Sequence, residues 1–185
     1  MLNEIYTATK SKMDRSVEAL ENAFKRIRTG RANPSILDPI KVDYYGQDTD
    51  ISAVANIGIE DGRTITITPW EKPMVTAIEK AIMKSDLGLN PQTSGETIRL
   101  VMPMLTEETR RDYIKLAKAE AENGRVSIRN VRKSSNTEIK NLLKDKEISE
   151  DEMHEAEDKI QKITNEFIVV IDKRFAEKEK ELITV

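Results

Sequence analysis

At 185 residues, 38% of them apolar, the chain can bury one medium core or two small ones but not three, and 34% charged residues with only 7 Gly and 6 Pro favour amphipathic helix. Having no cysteine, it can use no disulfide, thiolate metal site or cysteine nucleophile; the opening Met1-Leu2-Asn3-Glu4-Ile5-Tyr6 lacks a signal peptide's basic and apolar regions, and no run nears the roughly 18 apolar residues of a membrane span, so a cytoplasmic, membrane-free protein is expected. The net charge of −3 conceals an asymmetry: from 110 to 133 eight cations face three acids, and from 145 to 185 thirteen acids face seven bases.

Met13, Val17, Leu20, Phe24 and Ile27 recur at spacings of 4, 3, 4 and 3, the seam of a helix packed on others, with Gly30 as a stop signal and an expected end near residue 29. Between 31 and 104 the apolar period changes to two. Ile40-Lys41-Val42-Asp43-Tyr44, Ile57-Gly58-Ile59, Thr64-Ile65-Thr66-Ile67-Thr68 and Ile98-Arg99-Leu100-Val101-Met102 read as strands. Met74, Ala77, Ile78, Ala81 and Ile82 predict one short amphipathic helix before Asp86-Leu87-Gly88.

From Thr106, with Glu107 and Glu108 in a first turn, helical spacing resumes through Ile114, Ala117, Ala121, Gly124, Ile128 and Val131 to about Leu143. Such a helix would be roughly 55 Å long at 1.5 Å per residue. A third seam, Met153, Ala156, Ile160, Ile163, Phe167 and Val170, follows Ser149 and Glu152, which have capping-box spacing. The expected fold class is therefore α+β: an elongated three-helix bundle, residues 1–30 and 105–185, with a small β/α/β domain, residues 31–104, inserted into it. Two crossings joining two bodies make a hinge, expected at Arg31, Ala32, Asn33 and at Leu105 and Thr106.

Catalytic apparatus is missing from the pattern. The only histidine, His154, sits among acids with no nucleophile or orienting partner identifiable. The glycines follow neither phosphate-loop nor dinucleotide spacing, so any GTP belongs to a partner. The acids at 150–158 lack the calcium-loop pattern and read as a solvated helix face. No enzyme, no metal and no cofactor are expected.

The basic helix is arranged as well as charged. Arg125, Arg129 and Arg132 step by 4 and 3, and Lys118 lies seven before Arg125, so the four form one stripe beside the apolar seam. Arg129 and Arg132 have basic, apolar or neutral polar neighbours at i±3 and i±4, and no acidic partner within their own helix is expected. Two readings compete. Acids of the third helix could neutralise the stripe, as e and g charges do in coiled coils, the basis of an adaptor protein that never meets RNA. Otherwise the stripe binds phosphate, for which arginine's planar fork is suited. With only Tyr113 nearby, base stacking is not expected; backbone and shape recognition of folded RNA fits better.

Five segments, Ile27-Arg28-Thr29-Gly30-Arg31-Ala32, Ser85-Asp86-Leu87-Gly88-Leu89-Asn90-Pro91, Leu105-Thr106-Glu107-Glu108, Arg129-Asn130-Val131-Arg132-Lys133 and Asp145-Lys146-Glu147-Ile148-Ser149-Glu150-Asp151, resemble those of the ribosome recycling factor family, in family order across nearly the whole chain. The resemblance implies an L-shaped molecule. It implies a monomer that binds the post-termination ribosome through large-subunit ribosomal RNA and, with elongation factor G and its GTP, splits the subunits. Carried over to this chain, the family's functional arginines are Arg110, Arg129 and Arg132, with Arg28 and Arg31 in the N-terminal motif; Arg125 and Lys133 complete the expected RNA-binding set. Thr109 stands where relatives often carry a basic residue, thinning the edge of that surface, and Lys133 trades a fork for a point charge.

Overall fold

A computed structural model of the chain describes residues 1–184. In chain order it contains α1 (Leu2–Lys25), a 3-10 turn (Pro34–Leu37), β1 (Lys41–Tyr44), β2 (Gln47–Asp50), α2 (Ile51–Val54), β3 (Ala55–Glu60) and β4 (Thr64–Pro69). There follow α3 (Met74–Lys84), β5 (Gln92–Ser94), β6 (Thr97–Val101), α4 (Glu107–Lys144) and α5 (Glu150–Ile183). Two compact units result, one of residues 1–27 with 108–184 and one of residues 28–107. Their borders fall three residues from the expected 30/31 and 104/105; Val185, the last residue of the expected bundle, lies outside the described residues.

In the helical unit, Met13, Leu20, Phe24 and Ile27 are buried, as are Ala117, Ala121, Gly124 and Ile128 of α4 and Ala156, Ile160 and Ile163 of α5. Each fully buried Ile contributes about 1.5–3 kcal/mol through removal of apolar surface from water. Small residues set the spacing: a Cβ on Gly124 would stand 3.3 Å from Ile171 Cδ1 and 3.6 Å from Leu20 Cδ2, so all three helices meet there. Two hydroxyl pairs cross from α1 to α4, Thr9 with Ser135 at 2.6 Å and Ser16 with Ser127 at 2.7 Å. The first is buried, and an unmatched hydroxyl there would cost about 1–3 kcal/mol.

Two expectations about the helices need correction. α1 ends at Lys25, not near 29, because Arg26 and Ile27 bond three residues back, to Ala23 and Phe24, which closes the last turn tightly. Along α5 the seam runs from Ile163 to Ile171, and Val170 is exposed. An uninterrupted helix drifts off a strict heptad repeat, and by the fourth turn the inward position has moved one residue on.

The small unit has a β1–β2 hairpin and a four-stranded antiparallel sheet ordered β3-β4-β6-β5. Alternation is visible where one face is covered: Ile65 and Ile67 of β4, and Ile98 and Leu100 of β6, are buried with Met74, Ile78 and Ile82 of α3. β2 and β5 extend the expected β/α/β pattern. Their sequences, Gln-Asp-Thr-Asp and Gln-Thr-Ser, bury nothing, so they carry no apolar period and owe their conformation to the ladder of the partner strand.

The hairpin turns through Tyr45 and Gly46, with φ of 50° and 85°. Two positive φ values in a two-residue loop define a primed turn, in which Asn-Gly is the usual pair. Tyrosine there costs about 1–2 kcal/mol in steric terms.

Candidate nucleic-acid interface

The expected RNA-binding residues divide between the two units. Arg110, Arg125, Arg129, Arg132 and Lys133 all stand on α4. Arg110 and Arg132 are 22 positions apart, about 33 Å along the axis yet within about 40° of one face. Arg28 and Arg31 belong to the small unit, both exposed, and Arg28 Nη2 donates to the Leu87 carbonyl at 3.0 Å. Of the expected hinge residues, Ala32 is buried in the small unit's core and donates its N–H to Gly62 O at 2.9 Å. Asn33 Oδ1 accepts from Ser35 N at 3.0 Å, capping the 3-10 turn. Before them, Ile27 O accepts from Lys178 Nζ of α5 at 3.2 Å; burial depresses the Lys178 pKa and Glu181 opposes the shift.

Along α4 the cations are not equivalent. Arg125, its side chain 21% exposed, bonds Asp172 of α5 through Nε at 2.9 Å and Nη2 at 2.7 Å, and Glu122 through Nη1 at 3.2 Å. Partial burial disfavours its charge, yet these hydrogen bonds outweigh that and raise its pKa. The neutralising arrangement weighed from the sequence therefore describes Arg125.

Arg129 requires a correction, because it does have an acidic partner in its own helix: Nη1 lies 3.1 Å from Glu122 Oε1. Two long side chains span the two turns from 122 to 129, a reach that the i±3 and i±4 rule does not cover. Glu122 is the residue the pattern missed, although its i, i+3 spacing from Arg125 was a readable signal. Hydrogen bonds from Arg129 and then from Arg125 hold the Glu122 carboxyl below its ordinary value. The pair is exposed, so it is worth little in water and is readily exchanged.

Arg132 is held by a neutral group. Its Nη1 donates to the neutral Gln161 Oε1 of α5 at 3.3 Å, and Gln161 Nε2 in turn donates to Asn165 Oδ1 at 2.8 Å. Arg132 is aimed by an amide, and among the described residues no acid compensates its charge. Lys133 beside it is exposed. Positive charge thus increases along the stripe from Arg125 through Arg129 to Arg132 and Lys133. Among the described residues no group of three potential metal ligands occurs, and no helix is long and apolar enough to cross a membrane.

Comparisons with known proteins point one way. The sequence profile of the ribosome recycling factor family matches residues 20–183. A ribosome-recycling factor of Hahella chejuensis is 57% identical over 185 residues, all of both chains. Among solved structures, a solution structure of the ribosome recycling factor superposes with a TM-score of 0.81 at 38% identity, covering 100% of this chain and 98% of the other. A second, that of the T. thermophilus ribosome recycling factor and the E. coli elongation factor G bound to the E. coli post-termination complex, gives a TM-score of 0.67 at 43% identity, covering 98% of each chain.

Proposed function

Because this chain belongs to the ribosome recycling factor family, we propose that it binds the post-termination ribosome by laying the Arg129–Arg132–Lys133 end of α4 against large-subunit ribosomal RNA. The observation that carries this is the uncompensated charge of Arg132, held by Gln161 at the end of a stripe whose other end is already paired. A guanidinium aimed by a neutral amide can present its remaining donors to a phosphate. Arg129 exchanges Glu122 for phosphate when RNA arrives, and Arg110 extends the contact along the same face. Arg28 and Arg31 add charge from the small unit.

In this reading elongation factor G, with the GTP it hydrolyses, acts on the bound factor and the subunits separate. The chain itself performs no chemistry, uses no cofactor and works as a monomer in the cytoplasm. The small unit moves as one body. Its pivot at the first crossing is the link between Ile27, held by Lys178, and Arg28, held by Leu87; Ala32 and Asn33 travel with the small unit. At the second crossing the pivot is the stretch with Leu105 and Thr106.

Co-sedimentation with large subunits over a salt series tests the face. With about four phosphates neutralised, affinity should fall on the order of a hundredfold between 50 and 200 mM salt. Arg132→Ala should weaken binding and make the salt slope shallower by about one unit. Unchanged binding by folded Arg129→Ala and Arg132→Ala proteins would sink the RNA-face reading. Subunit splitting with elongation factor G and GTP then checks the task.

A further inference from the structure

The small unit leaves two large aromatic side chains in water, Tyr45 at 80% exposure and Trp70 at 66%. Tyr45 occupies the left-handed position of the hairpin turn, where asparagine would relieve strain, and burial does not explain its presence. Its ring is nevertheless held. The Tyr45 hydroxyl donates to Glu71 Oε2 at 2.7 Å, and that of Tyr44 to Glu71 Oε1 at 2.8 Å. The two rings meet edge to face, with centroids 4.7 Å apart. Trp70 is the residue next to Glu71, and its backbone N–H is anchored on Val54 O.

Charge adds a direction. Asp43 and Asp48 stand directly opposite each other across the hairpin, both exposed, and like charges so placed oppose the pairing. With Glu71 they leave this end of the unit negative, even with Lys72 adjacent in the chain as a counter-charge. A surface of this sign repels RNA phosphate. Electron-rich ring faces beside carboxylates suit a guanidinium, which stacks on the ring and forks onto the acid.

We propose that Tyr45, Trp70 and Glu71, flanked by Asp43 and Asp48, form a docking surface for an arginine-bearing segment of a basic protein. The surface belongs to the small unit and does not depend on what α4 binds.

Trp70 is the chain's single tryptophan, so its emission reports on this surface directly. The full chain would be titrated at physiological salt with a hexa-arginine peptide, a hexa-lysine peptide and an RNA hairpin. The arginine peptide should shift Trp70 emission saturably and at lower concentration than the lysine peptide, and the hairpin should leave it unchanged. Tyr45→Asn, a residue suited to the turn, should melt no earlier than the parent protein yet bind the arginine peptide roughly tenfold more weakly. Glu71→Gln should weaken it several-fold. Arg132→Ala should leave the titration unaltered, which separates this test from that of the RNA face. A response to the hairpin alone, equal responses to arginine and lysine, no response, or full binding by both variants would each overturn the proposal.

Discussion

Glu122 shows how one carboxylate can set the working charge of a basic surface. It is shared between Arg125, which α5 also holds through Asp172, and Arg129, which among the described residues has no other acid. Any phosphate that binds Arg129 must compete with Glu122. Glu122→Gln is therefore expected to strengthen binding to large subunits at low salt by up to about fivefold, the range of an exposed ion pair, and to steepen the salt dependence. Co-sedimentation checks this, and weaker binding by the variant would contradict the competition. The spacing of Arg125, Arg129 and Arg132 was legible as a stripe, and its position beside the seam followed from helical geometry alone. That the three differ in free charge was not legible, because Asp172 and Gln161 come from a helix about 30 to 50 residues away in the sequence.

Between α4 and α5 the chain reverses in a Schellman arrangement. Glu147 N–H bonds Leu142 O at 2.9 Å and Lys146 N–H bonds Leu143 O at 3.0 Å, with Lys146 at φ 59°. Glycine is the usual residue there. Lys146→Gly should stabilise the protein by about 0.5–1 kcal/mol, read as a higher melting temperature.

At the start of α5 the capping box is complete: Glu152 N–H bonds Ser149 Oγ at 3.2 Å, and Ser149 N–H bonds Glu152 Oε2 at 2.7 Å. The backbone hydrogen bond, then that with the Ser149 side chain, holds the Glu152 carboxyl below its ordinary value. A carboxyl depressed in the folded state contributes fully above its ordinary value and loses that contribution as the pH falls through the folded value. Stability should thus decline from about pH 5 to about pH 3, and Glu152→Gln should flatten part of the decline in melts recorded across that range. This box could be read from Ser149 and Glu152 because capping is local. The end of α1 could not, since Gly30 signalled a stop five residues beyond the last helical residue, whereas the tight bonds of Arg26 and Ile27 to Ala23 and Phe24 close the helix first.

The division into two units can be tested with one substitution and two probes. Leu100 is fully buried in the small unit, and Trp70 lies in the same unit, whereas most helical signal comes from α1, α4 and α5. Leu100→Ala should destabilise the transition followed by Trp70 fluorescence by about 2–5 kcal/mol, while the helical transition followed by circular dichroism moves less. Coincident shifts would mean that the two units unfold as one. Residue pattern alone specifies three long helices, a small mixed domain of strands and one short helix inserted in sequence between the first and second of them, and a basic stripe on α4. Each of these follows from a period of about 3.6 or 2 that a local stretch of chain must satisfy to hide its apolar side from water. Contacts made in the folded chain decide the rest: which arginine is paired with an acid, where the first crossing leaves the helical unit, and that β2 and β5 are strands. Those features depend on groups brought together from distant parts of the chain, and no local period records a partner that folding alone supplies.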